Sequence, residues 1–272
     1  MDTVELSQSD KISRTIERLK KDGIVTFRIN ALTRIGRDEL MNIFSRLFDE
    51  FQLNPAFLFN LFSAVVEIIF NAIKANAKYV IFKSEIRTKL MRQNFEDIDN
   101  LLPIIFHEEL LRDFMARHIL PDKLKRRVNT VLKIEEKKRT GKANSLSEKD
   151  IALLREFKML IEFEEVLTHF TIGIKSGSVV FTVVNDIPIL SKDMNRITQS
   201  RLIHQKLFKE GRSTDYFGPD YIDITESAGF GIAMADEIYY EMGLDPMQYF
   251  QITASKESTR AALQFPREKL SF

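Results

Sequence analysis

The chain has no cysteine and no tryptophan among its 272 residues. The first absence excludes disulfides, thiolate nucleophiles and Cys-ligated zinc, and it suits a reducing cytoplasm. Neither charge is in excess: 40 Lys and Arg stand against 39 Asp and Glu, and the formal net charge of +1 supplies no global field for nucleic acid or an anionic membrane. The opening residues, Met1-Asp2-Thr3-Val4-Glu5, have neither a basic start nor an apolar signal core. Glu67, Asn71 and Lys74 interrupt the best candidate for a long apolar run, residues 56 to 73. Together these absences predict a soluble, cytoplasmic protein with no membrane span and no nucleic-acid partner. The length suits one elaborated domain or two modest ones.

Phenylalanine is what the chain has in abundance, with 22 copies. Phe44, Phe48, Phe51, Phe59 and Phe62 fall at helical spacing, which assigns them to a core rather than to a base-stacking surface.

Taken in order, Ile12, Ile16 and Leu19 give a weak helical pattern that ends at Asp22-Gly23, and Ile24 to Ile29 is β-rich. Leu40, Phe44, Leu47, Phe48 and Phe51 mark an amphipathic helix over 37–52, after which Asn54-Pro55 opens another helix that runs to about Asn76. Lys78 to Lys83, centred on Tyr79-Val80-Ile81-Phe82, reads as a strand. Residues 86–165 read as a helical insertion, with breaks or kinks at Pro103 and Pro121 and a capping signal at Ser147 and Asp150. Thr168–Lys175 and Ser178–Val184 form a hairpin around Gly177. Residues 191–227 are polar and mixed, the pattern of either a long functional loop or a partly disordered segment. A helix from Ile232 to Met242 closes at Gly243, and two β-like runs follow, Tyr249–Ala254 and Ala261–Phe265.

The stretch Val65 to Asn76 carries the chemistry. On a helix, Glu67, Asn71 and Lys74 share one stripe while apolar residues fill every other side. A carboxylate, an amide and an ammonium on an otherwise apolar helix need partners, and a bound ligand is one such partner.

Glu67-Ile68-Ile69-Phe70-Asn71-Ala72-Ile73-Lys74 is similar to the N box of the GHKL superfamily, the Bergerat-fold ATPases. Ser227-Ala228-Gly229-Phe230-Gly231-Ile232-Ala233 is similar to that family's second glycine box, and Ser258-Thr259 with Ala261 to Pro266 resembles its closing strand. The resemblance covers about residues 55–85 and 167–267. It implies an α/β (α+β) two-layer sandwich, with a mixed, mostly antiparallel sheet covered by helices. The whole of 1–272 would be one histidine-kinase-like domain, with 86–165 as insertion and 191–227 as a lid-like loop. It implies ATP and Mg²⁺ as cofactors: Asn71 as metal ligand, Lys74 toward phosphate, Gly229 and Gly231 at the phosphates, Asn185 toward the adenine amino group, Asp186 and Thr259 among the nucleotide-binding residues, and Glu67 as general base. A kinase or regulatory ATPase in signalling, acting on a protein partner, is the implied function, and homo-oligomerisation stays open.

The chain also departs from the family. Where the first glycine box reads Asp-x-Gly-x-Gly, this sequence has Asn185-Asp186-Ile187-Pro188-Ile189, so Asn replaces Asp and both glycines are gone. Ser227 replaces a further glycine, and no histidine precedes Glu67 to act as phosphoacceptor. His107-Glu108-Glu109-Leu110 follows the N box and reads as part of the inserted helices, while His118, His169 and His204 are isolated. These departures keep a second reading open, a non-catalytic module of the same fold that binds a protein through its inserted helices.

Overall fold

A computed structural model describes residues 8–29, 34–93, 96–109, 145–175, 177–218 and 230–271, with isolated positions between 126 and 138. Helix α1 (Gln8–Asp22) leads into strand β1 (Ile24–Ile29) and helix α2 (Arg34–Glu50). After a short 3-10 turn at Pro55–Phe57, capped by the Asn54 side chain, helix α3 runs from Leu58 to Arg92. Helices α4 (Ile98–His107) and α5 (Glu148–Glu164) follow, then the hairpin β2 (Thr168–Lys175) and β3 (Ser178–Asn185). Helix α6 (Ser191–Lys209), helix α7 (Phe230–Glu241), strand β4 (Phe250–Ala254) and strand β5 (Thr259–Pro266) follow, with single helical turns at Pro246–Tyr249 and Arg267–Leu270.

The strands form one open five-stranded sheet in the order β1-β2-β3-β5-β4, and every pairing is antiparallel. Alternation along each strand separates two faces. Val25, Ile172, Phe181, Leu263 and Phe250 are paired in turn across all five strands, and each is buried. The row next to them, Thr26, Thr171, Thr182, Ala262 and Gln251, is half-buried or exposed. The fold is therefore α+β, with helices on the apolar face of the sheet. Its core is an aromatic stack: Phe44 lies over Phe181 at 5.1 Å and Phe170 at 6.4 Å, and Tyr239 lies over Phe265 at 4.6 Å.

Two expectations need correction. The strand expected at Lys78–Lys83 is the continuation of α3, a helix of 35 residues. The β-branched and aromatic run is overruled by packing, since Val80 packs with Ile161, Val166 and Ile187 while Ile81 and Phe82 join Leu102 and Phe106. The loop expected over 191–227 begins as α6, a helix of 19 residues, followed by a 3-10 turn at Ser213–Phe217; residues 219–227 lie outside the described set. Its inward face is Arg201, His204 and Leu207, so polar residues hide its helical period.

The other expected elements stand close to where the sequence puts them. Helices are also what the structure shows of the 86–165 insertion: the end of α3, α4, which runs through Pro103, and α5. Pro121 and His118 lie outside the described residues. Ser147 and Asp150 form a complete capping box at the start of α5. Gly243, at φ 68°, ends α7 as expected. Of the five phenylalanines assigned to the core, Phe59 is 65% exposed. The set-aside of the apolar run also needs revising. As a helix, the Pro55–Arg92 stretch is long and apolar enough to cross a membrane by length and composition, and 56% of its most apolar window is buried inside the protein.

Candidate functional site

Glu67, Asn71 and Lys74 lie on one side of α3, each half-buried. The start of α7 covers Glu67. A Cβ placed on Gly231 would stand 2.4 Å from Glu67 Cγ and 2.7 Å from its Cβ, closer than any side chain tolerates. Glycine at 231 is thus what allows α7 to touch α3 at Glu67. Since Gly231 is in the first turn of α7, the positive end of that helix is set against the carboxylate-bearing side of α3. Gly229 lies outside the described residues.

The other expected residues meet on a different side of α3. Asn185 and Thr259 are paired across β3 and β5, and Asn185 is only 4% exposed. Asn76 of α3 reaches them. Its Nδ2 donates to Leu167 O and to Thr168 Oγ1, both at 3.1 Å, and its Oδ1 accepts from Asn185 Nδ2 at 3.4 Å. Asn185 Nδ2 also donates to Ile187 O at 3.1 Å, and Thr259 Oγ1 donates to the same oxygen at 2.7 Å. At about 100° per residue, Asn76 is roughly half a turn around the helix from Glu67. α3 therefore presents Asn76 to the sheet and Glu67 to α7. Asp186 stands beside this network: its Oδ2 accepts from Leu167 N at 3.0 Å, and its Oδ1 lies 3.8 Å from His169 Nε2.

A Mg²⁺-nucleotide makes two demands of such a site. Mg²⁺ usually takes only one or two protein oxygens and is otherwise held by phosphate and water. The Asn71 amide oxygen and the Lys74 ammonium suit that side chemically, and among the described residues no group of three His, Asp or Glu is placed to hold a metal by itself. On the Asn185 side both amide N–H groups are already given away, so that side chain can offer a ligand only its carbonyl oxygen.

A second polar cluster, between α6 and α7, was missed in the sequence. Arg201 Nε and Nη2 bind the Asp236 carboxylate at 3.0 and 2.8 Å, and its remaining N–H groups donate to Phe250 O and Pro246 O at 3.0 Å. Asp236 is 1% exposed, and burial raises its carboxyl above the ordinary range while Arg201 pulls the other way. One turn on, fully buried His204 pairs through Nε2 with Glu237 at 2.8 Å, with Tyr216 4.7 Å away and Tyr240 5.6 Å away. Burial also raises the Tyr239 and Tyr240 hydroxyls. The partners are 35 and 33 residues apart, and no local spacing marks such a pair. Asn76 was legible only as a polar residue closing the stretch Val65 to Asn76, off the stripe, because its role depends on the sheet.

No protein-family model matches the chain, and no curated protein or solved structure matches it.

Proposed function

We propose that the chain is a Bergerat-type, histidine-kinase-like protein that binds ATP with Mg²⁺ and acts in signalling on a protein partner. The observation that carries this reading is the seating of Gly231 on Glu67, which joins the N-box-like helix to the helix of the glycine-box-like turn. A helix N-terminus next to an amide and an ammonium is a setting for phosphate. In it Asn71 offers an oxygen to the metal, Lys74 offers positive charge to phosphate, and Glu67 is the general base for a water or an acceptor hydroxyl. The bound nucleotide supplies the transferable phosphoryl group. The half-buried stripe positions it and limits water around it.

Calorimetry with Mg-ATP and Mg-ADP tests the reading. Binding at millimolar concentrations or tighter is expected, weakened at least about tenfold by Asn71→Ala, which removes a charge-assisted contact. Absence of heat from both nucleotides at millimolar concentration would sink it.

The second reading, a non-catalytic module of the same fold that binds a protein through its inserted helices, is favoured by Ile187 and Ile189 standing where the first glycine box has its glycines. ATP hydrolysis that Glu67→Ala abolishes would rule that reading out.

A further inference from the structure

Asn76 has no part in the nucleotide-binding reading above, yet it decides what the Asn185 side of that site can recognise. An isolated amide is ambiguous, because its oxygen and nitrogen have nearly the same shape. Here the surroundings remove the ambiguity. Main-chain carbonyls only accept, so the end of the Asn185 amide that lies 3.1 Å from Ile187 O is the NH₂. The end of Asn76 that lies 3.1 Å from Leu167 O is likewise its NH₂, and this turns Asn76 Oδ1 toward Asn185 Nδ2 at 3.4 Å. The Thr259 hydroxyl gives its one proton to Ile187 O at 2.7 Å. Asn185 and Thr259, directly paired across β3 and β5, are left with lone pairs alone.

We infer that Asn76 is a positioning residue: with the Leu167 and Ile187 carbonyls it fixes the Asn185 amide, so that Asn185 and Thr259 form an acceptor-only edge. This inference rests on the nucleotide-binding reading for its ligand. Such an edge takes a base that carries an exocyclic amine and repels one with an oxo group in that place. It also explains why asparagine stands where the resemblance leads one to expect aspartate. A carboxylate at 185 would set an oxygen against both Asn76 Oδ1 and Ile187 O, and Asn76 could not turn to meet it without losing Leu167 O. The titratable side chains nearest along β2 and β3 are Asp186 and His169, and the Asp186 carboxylate is already taken up by Leu167 N–H and His169.

Thermal unfolding of the full chain carrying Asn185→Asp, read against pH, tests the lock. At about pH 7.5 the variant melts several degrees below the parent, and by about pH 4.5 most of that gap closes, because the protonated carboxyl regains a donor. The sign follows from the folded state holding the proton of the introduced carboxyl to higher pH than the unfolded chain does, so stability falls as pH rises. Asn76→Asp, which faces Leu167 O, shows the same signature from the other side of the pair and stands in if the first variant does not fold. Variants as stable as the parent at neutral pH overturn the lock, as do a deficit that ignores pH and a failure of both to fold at either pH. The ligand half is read by calorimetry with Mg-ATP against Mg-ITP, which differ in a 6-amino and a 6-oxo group. ATP binds at least about tenfold tighter, and equal affinities overturn the acceptor edge. Binding of neither overturns the nucleotide reading and the base-reading edge with it, while the pH comparison still decides the lock.

Discussion

The first half of α3, from Leu61 to about Ala77, lies under the sheet, whereas the second half leaves it and packs against α4 and α5. Around the first half the core is broad and aromatic, with Phe44, Phe170, Phe181 and Phe265 all fully buried. Around the second half the core is smaller among the described residues. It is built on Ile81, Phe82, Ile86, Leu102 and Phe106, with Leu90, Ile98, Leu153 and Phe157 packed against it, while Met91, Ile104, Met159 and Phe163 on the same helices are each more than half exposed. One helix thus belongs to two bodies of unequal strength. Glu67, Asn71 and Lys74 all fall on the strong half, where packing holds side chains in place, and this is the half on which a ligand site needs to be built.

The widest test of that inequality is a pair of truncations. Phe181→Ala empties the centre of the aromatic stack and is expected to cost about 3–5 kcal/mol. Phe106→Ala costs less, and by hydrogen exchange its effect stays within α4, α5 and the end of α3. Equal losses by denaturant titration would mean that the two cores are one. Arg201→Met comes next, because it leaves Asp236 and two main-chain carbonyls without their donor, at a cost of about 3–5 kcal/mol. Pairing it with Asp236→Leu recovers much of the loss. The raised Asp236 carboxyl also has a signed consequence. The folded state keeps that proton to higher pH than the unfolded chain, so its contribution to stability is largest below the ordinary carboxylate range and declines as pH rises through the raised value. Asp236→Asn flattens that slope in denaturant titrations across acidic pH.

Smaller effects sharpen the contact that joins α3 to α7. Gly231→Ala forces a Cβ into Glu67 and is expected to cost about 1–3 kcal/mol. Adding Glu67→Ala restores only part of the loss, because the Glu67 Cβ itself would stand 2.7 Å away. Full restoration would show that the clash lies with the carboxylate stem alone. At the far end of the scale, Ser147→Ala removes the cap of α5 at about 1 kcal/mol. Its loss of exchange protection remains in the inserted helices and spares the sheet.

What the sequence made legible follows the physics of period. The hairpin around Gly177, the capped start of α5 and the glycine end of α7 are local signals, and they stand where the residues put them. Tyr79 to Phe82 misled because a β-rich run can be helical when neighbours on two sides bury it. α6 hid behind Arg201 and His204, whose burial depends on Asp236 and Glu237. The polar stripe of α3 was readable from spacing, but the division of labour between Glu67 and Asn76 was not. That division is set by which side of the helix meets the sheet, and only long-range packing fixes it.

The central claim, that the strong half of α3 and the start of α7 form the ligand-binding side, is tested most directly by hydrogen exchange with and without Mg-ATP. The account predicts new protection in the first turn of α7 and in α3 around Glu67 to Lys74, with α4 and α5 unchanged. Protection confined to α4 and α5, or no change anywhere at millimolar nucleotide, would contradict it.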